Sequence, residues 1–227
     1  MIKAVLFDLD NTLYSEFSFV TSGMRAVGGH LGQRFGLDPV KIEECLLESL
    51  NSKGRGSTFD LVLEKLGLSD RISVPMLVYL YRTHRPEITL FEDAISLLEE
   101  LGRRRVKMGL ITDGLSSVQL RKIAALQIEE YFDVVICTDD LGKNYAKPSV
   151  VPFELALHLL DVTGKETIYV GDDETKDFAG PQELGIGTIQ VKYPEVRSLR
   201  TGPLTHPQPA DICVTSLRDV LPIAAAE

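Results

Sequence analysis

Tryptophan is absent from this 227-residue chain, and cysteine is scarce, with three thiols at Cys45, Cys137 and Cys213. The three lie far apart and share no metal-ligand spacing, which argues against a zinc module or a disulfide scaffold. Two of them fall in apolar strand-like runs, where a buried free thiol is the expected state. That usage fits a reducing cytoplasm. No apolar stretch is long enough to span a bilayer. Met1-Ile2-Lys3 leads straight into a strand-like run, so no signal peptide is expected either. Basic residues are the minority, 24 against 33 acidic ones, for a net charge of −9. A chain so acidic is not expected to bind nucleic acid as its main partner.

Apolar content of 44% and charged content of 25% are ordinary for a globular protein of this length. The charge is uneven: residues 16–86 are nearly balanced at +1, so the remainder carries −10. A carboxylate-rich core that binds a cation, beside a less acidic unit, has this pattern, and so does chance variation of surface charge.

Beyond residue 86 short apolar runs alternate with helical spacing. Val106–Ile111, Phe132–Ile136, Thr167–Val170, Thr188–Val191 and Ile212–Val214 have the length and composition of buried strands. Residues 116–127 show helical spacing through Val118, Leu120, Ile123, Ala124 and Leu126. Residues 149–160, 175–184 and 216–223 are further helix candidates, with a bend or early break at Gly180-Pro181. Residues 194–209 hold Pro194, Pro203, Pro207 and Pro209 and form a loop. The Ala224-Ala225-Ala226 tail is expected to fray. This alternation predicts an α/β fold, a doubly wound, Rossmann-like, mostly parallel sheet with helices on both faces.

The segment 15–86 breaks the rhythm. It offers helical stretches only, near 16–35, 39–50, 57–66 and 72–84, with Asp38-Pro39 and Val74-Pro75 at helix starts. It is expected to be a small helical domain inserted into the core formed by 1–14 and 87–227.

The most informative stretch is Ala4-Val5-Leu6-Phe7-Asp8-Leu9-Asp10-Asn11-Thr12. An apolar strand ends and two carboxylates and a hydroxyl follow. Carboxylates crowded at a strand end repel unless a cation or a proton intervenes. An Asp after a strand is also a common turn former or helix N-cap. Thr112 and Asp113 follow the next strand, Asp172 and Asp173 follow Val170, and Asp177 lies one turn on. Lys147-Pro148 precedes a helix start. Open parallel sheets bind ligands at the carboxyl ends of their strands. Carboxylate, lysine, hydroxyl and a hard cation together suit phosphoryl transfer through an aspartyl-phosphate.

In these motifs the chain resembles the haloacid dehalogenase-like superfamily. Asp8-Leu9-Asp10-Asn11-Thr12 matches its Asp-x-Asp-x-Thr motif, Leu110-Ile111-Thr112 its second, Lys147-Pro148 its third, and Gly171-Asp172-Asp173 with Asp177 its fourth. All four occur in order, so the resemblance covers essentially the whole chain. It implies that Asp8 is the nucleophile and a metal ligand. It makes Asp10 the group that protonates the leaving oxygen, then deprotonates water, and lends its backbone carbonyl to Mg²⁺. Thr112, Lys147 and the backbone N–H of Asp113 would hold phosphoryl oxygens, Asp172 would complete the metal shell, and Asp173 or Asp177 would act through water. Thr12 is expected to order the loop.

Dehalogenating members lack an acid at the position of Asp10, so the resemblance points to the phosphatase branch. The helical insert resembles a C1-type cap, which closes over the cleft and reads the leaving group. The expected activity is a cytoplasmic, Mg²⁺-dependent phosphomonoesterase for a small phosphorylated metabolite, such as a sugar phosphate or nucleoside monophosphate, with no membrane partner. A phosphomutase is the alternative within enzymes. A phospho-accepting signalling domain is the alternative outside them, disfavoured by Asp10 and by the 70-residue insert.

The remaining residues suggest ordinary structure. His30, His84, His158 and His206 have no partner spacing. Arg25, Arg55, Arg82 and Arg85 are candidates for meeting an anionic substrate, though most such charges are solvated. Tyr14, Phe17 and Phe19 suit hinge packing. Arg103-Arg104-Arg105 suits the end of a helix.

Overall fold

A computed structural model describes residues 1–54, 56–196 and 207–224. Arg55, Pro203, His206, Ala225 and Ala226 lie outside the described residues. The chain divides into two compact units, Met1–Glu16 with Ile88–Glu227, and Phe17–Glu87.

The first unit is built on six parallel strands in the order β3-β2-β1-β4-β5-β6. They are β1 (Ala4–Phe7), β2 (Lys107–Thr112), β3 (Val134–Cys137), β4 (Thr167–Gly171), β5 (Gly187–Val191) and β6 (Ile212–Val214). All four residues of β1 are buried, as a central strand covered on both faces requires. Alternate β1 side chains take opposite faces. Ala4 and Leu6 join Phe153, Ala156 and Leu160 of α7 (Val151–Leu160) in one core cluster. Phe7 meets Phe132 edge-on at 6.2 Å. Each large apolar side chain buried in this way stabilises the fold by about 1.5–3 kcal/mol.

Three sequence expectations change here. The helix expected over 175–184 starts only at Ala179, as α8 (Ala179–Glu183), because the residues before it turn to bury Asp177. The helix over 116–127 forms as α6 (Ser116–Leu126), but its buried side chains are Gln119, Lys122, Ile123 and Leu126, and Leu120 is 51% exposed. Cys137 is buried as expected, whereas Cys213 on the outermost strand β6 is exposed.

The second unit is helical: α1 (Glu16–Phe35), α2 (Pro39–Lys53), α3 (Thr58–Lys65) and α4 (Val74–Thr83). The Asp38 carboxylate accepts from the N–H groups of Val40 and Lys41 and so caps α2, whose first residue is Pro39. Gly36 ends α1 at φ +69°, where an L side chain would be strained. Phe19, Tyr81 and His84 form an aromatic cluster within the unit, with Phe19 and His84 ring centres 4.9 Å apart. Arg25 pairs with Glu43 and Glu87 on its surface.

The first unit also holds α5 (Glu92–Arg103) and α9 (Val220–Ala224). Among the described residues no helix is long and apolar enough to cross a membrane.

Candidate active site

The chain runs from β1 to β2 and β3 on one side and returns to β4 on the other. That reversal leaves a crevice at the carboxyl ends of β1 and β4, the place where such sheets bind ligands. Register brings the ends level, with Phe7 opposite both Leu110 and Val170. The Asp8 N–H donates to the Val170 carbonyl at 2.9 Å, so Asp8 leaves β1 beside the start of the β4 loop.

Asp8, Asp172 and Asp177 meet there, each with a carboxylate oxygen within 4.8 Å of the others. Lys147 Nζ reaches in from the loop before α7, donating to Asp8 Oδ1, to Asp177 Oδ1 at 2.8 Å and to the Tyr169 hydroxyl at 3.0 Å. The Lys147 and Asp177 side chains are fully buried, and that of Asp8 is 1% exposed. Asp177 Oδ2 accepts from the N–H groups of Asp172 and Asp173, which folds the β4 loop around it. Gln190 on β5 donates to the Asp172 carbonyl at 2.8 Å and ties down the same loop.

Burial shapes the electrostatics. It pushes the Asp8 carboxyl up to about 6, against the pull of the Lys147 and Lys176 charges. Burial and then the Asp177 and Asp8 carboxylates drive Asp172 well above the usual carboxylate range. For Asp177 the burial penalty is outweighed by Lys147 and Lys176, and its carboxyl lies below that range. Burial works against the Lys147 ammonium, but the Asp177 and Asp8 charges keep it protonated.

These residues fit a hard cation. Asp8 Oδ2 is buried and has no hydrogen-bond partner among the described residues. A buried carboxylate oxygen without a donor is costly, and a metal ion satisfies it. Three carboxylates crowd together beside Lys147 and Lys176, and the raised values of Asp8 and Asp172 show that the cluster lacks positive charge, which a cation would supply. An all-oxygen donor set suits Mg²⁺ or a similar ion.

Asp10 is held separately. Lys122 Nζ donates to its Oδ1 at 2.7 Å and to its Oδ2 at 2.8 Å. Gln119 Nε2 lies 3.0 Å from Oδ2, and the Tyr14 hydroxyl donates to Oδ1. Burial favours the neutral acid, but the Lys122 charge and these hydrogen bonds hold the carboxyl below its ordinary value. Tyr14, expected to pack at a hinge, is fully buried and spends its hydroxyl on Asp10.

The other expected residues sort by what they touch. Thr112 Oγ1 is buried at the end of β2 and accepts from Gln119 Nε2 at 2.5 Å. The Asp113 carboxylate accepts from Thr138 Oγ1 and from the Lys147 N–H, so its side chain braces the loop that carries Lys147. Asp173 accepts from the N–H and hydroxyl of Thr175 and caps a turn. Of the two acids left open, Asp177 is therefore the one in the carboxylate cluster. Thr12 Oγ1 has no hydrogen-bond partner among the described residues. Asn11 orders that loop, adopting φ +59° and accepting from the Glu16 N–H.

Gln119, Lys122, Tyr169 and Gln190 escaped the sequence reading. A signal was present for two of them: Gln119, Lys122, Ile123 and Leu126 have i, i+3, i+4, i+7 spacing, the period of a buried helix face. An apolar-only search for that face selects Leu120 instead.

The family model described as haloacid dehalogenase-like hydrolase matches residues 5–191. A glyceraldehyde 3-phosphate phosphatase of Methanocaldococcus jannaschii is 31% identical over 230 residues, covering 98% of this chain and 97% of the relative. A ribulose-1,5-bisphosphate 5-phosphatase of Halopiger xanaduensis is 30% identical, covering 83% of this chain and 84% of the relative. Among solved structures, the HAD phosphatase from Thermococcus onnurineus superposes with a TM-score of 0.63 at 24% identity, covering 100% of this chain and 99% of that one. At that identity the likeness speaks for the fold.

Proposed function

The chain belongs to the haloacid dehalogenase-like hydrolases, and from that premise we propose that it is a Mg²⁺-dependent phosphomonoesterase for a small phosphorylated metabolite. The relatives named as phosphatases of a triose phosphate and of a sugar bisphosphate support the substrate class. The observation that carries the reading is the environment of Asp8, one oxygen on Lys147 and the other buried without a donor, beside Asp172 and Asp177. A structural carboxylate would have both oxygens satisfied.

In this reading Asp8, Asp172 and Asp177 lie where Mg²⁺ would bind, with the Asp10 backbone carbonyl added by resemblance. Bound there, the ion would supply positive charge to offset that of the phosphoryl oxygens and the surrounding carboxylates. An Asp8 oxygen attacks phosphorus, an O–P bond forms, and the bond from phosphorus to the ester oxygen breaks. Asp10, ionised beside Lys122 in the free site, takes up a proton from solvent water or the substrate monoanion as the phosphoryl group enters, and gives it to that leaving oxygen. Lys147 and the Thr112 hydroxyl hold the transferred oxygens. Asp10 then takes a proton from water as the water oxygen attacks phosphorus, which frees inorganic phosphate and restores Asp8.

The test is phosphate release with and without Mg²⁺ over a panel of phosphorylated metabolites. Wild type is expected to release phosphate only with the ion present, and Asp8→Asn to release none while keeping its circular dichroism spectrum. Undiminished release by Asp8→Asn, or an isomerised sugar phosphate in place of free phosphate, overturns the reading.

A further inference from the structure

α6 places two polar side chains, one turn apart, on its buried face. Lys122 is 4% exposed and Gln119 is 2% exposed. Burying both a lysine and a glutamine is costly unless each is paired. Both meet the same carboxylate. Lys122 spans the two oxygens of Asp10, and Gln119 Nε2 touches Asp10 Oδ2 and Thr112 Oγ1 together. A carboxylate offers about four acceptor directions. The four contacts from Lys122, Gln119 and Tyr14 place two donors on each oxygen, which fixes the rotamer and the plane of the group until one contact opens to admit the proton.

We propose that Gln119 and Lys122 are positioning residues, with Lys122 setting the orientation of the Asp10 carboxylate and Gln119 locking that orientation to the Thr112 hydroxyl. The proposal rests on the reading of Asp10 as the proton-transfer group and of Thr112 as a phosphoryl-oxygen ligand. Proton transfer demands close alignment between the carboxyl and the leaving oxygen. The Gln119 amide makes the two residues one unit, so that where the phosphoryl group sits determines where the proton is delivered. Neither side chain needs to touch substrate for this.

The test compares two esters of similar shape, p-nitrophenyl phosphate and phenyl phosphate, whose leaving groups differ in basicity. The more basic phenolate depends more on a delivered proton. Lys122→Met is expected to lower kcat for p-nitrophenyl phosphate about 30-fold, and for phenyl phosphate about 10-fold further, within the usual range of general acid–base effects. KM should stay within about threefold. Lys122→Arg, which keeps donors for both oxygens, should restore much of the loss. Gln119→Leu should lower kcat and raise KM together, because Thr112 loses its neighbour as well.

A merely structural role would lower the melting temperature and scale both esters equally. Equal losses on the two esters, or a Lys122→Met kcat within threefold of wild type, overturn the positioning role alone. If Lys122→Met does not fold, Lys122→Gln gives the same ratio. A wild-type protein that releases no phosphate from these esters or from any metabolite of the panel, or an active Asp8→Asn, overturns the reading of the site and the positioning role with it; where only a metabolite is cleaved, the Lys122→Met loss in kcat at unchanged KM is read on that metabolite.

Discussion

Gly171 and Asp177 are in contact: a Cβ at residue 171 would lie 2.8 Å from Asp177 Oδ2 and 2.9 Å from its Cγ. The last residue of β4 therefore must be bare for the loop carboxylate to fold back onto the strand end. Gly171→Ala would push Asp177 off the Asp172 and Asp173 N–H groups and off Lys147. Overpacking of this kind costs about 1–3 kcal/mol. Urea denaturation should show that loss, and phosphate release should fall by a larger factor than stability alone explains.

Cation binding is readable without turnover. An ion that binds only the folded state stabilises it by about 2.7 kcal/mol at a hundredfold excess over its dissociation constant. The melting temperature should rise with Mg²⁺ concentration, and the rise should vanish in Asp172→Asn. A rise of equal size in the variant would remove Asp172 from the cation site.

The three thiols should differ in reactivity. Cys213 is exposed, Cys45 is buried, and burial pushes the Cys137 thiol up to about 11. The thiolate is the reactive form, so Cys137 is doubly protected at pH 8. A thiol-reactive disulfide should label one cysteine promptly in the native protein and three in denaturant. Prompt labelling of two would contradict the burial of Cys45 or Cys137.

Glu166 should tie stability to pH at the acid end. Its carboxyl is held at about 2 by hydrogen bonds from Lys3 and Thr163, against about 4.3 for an ordinary glutamate. A depressed folded value contributes stability that is present above the unfolded pKa and lost as pH falls through the folded one. Glu166→Gln should melt below wild type at pH 6, and the gap should close between about pH 4 and about pH 2. The pair is solvent-accessible, with the Glu166 side chain 28% exposed, so the gap is expected to be small. A gap that widens toward low pH would refute this account of Glu166.

The fold was legible in the sequence because a central parallel strand must be apolar on both faces, and Ala4–Phe7, Leu110–Ile111 and Ile168–Val170 are. The strand-end acids were legible for the complementary reason: a short apolar run that stops abruptly in Asp8, Thr112 or Asp172 marks where the core ends. The start of α8 was not legible, since residues 175–178 have a helix-like composition. There Asp177 is buried and accepts from the N–H groups of Asp172 and Asp173, contacts that local composition does not reveal.

Sequence by itself determined the parallel α/β core, the helical insert and the set of acids at the strand ends, because each follows from local polarity pattern and chain order. Tertiary structure alone decided that Asp177 and not Asp173 joins Asp8 and Asp172, that Asp8 keeps one oxygen without a donor, and that a buried lysine and glutamine on α6 hold Asp10. Those outcomes depend on which charges are forced together out of water. Pairing across 112 residues, as between Lys122 and Asp10, leaves no mark in local pattern.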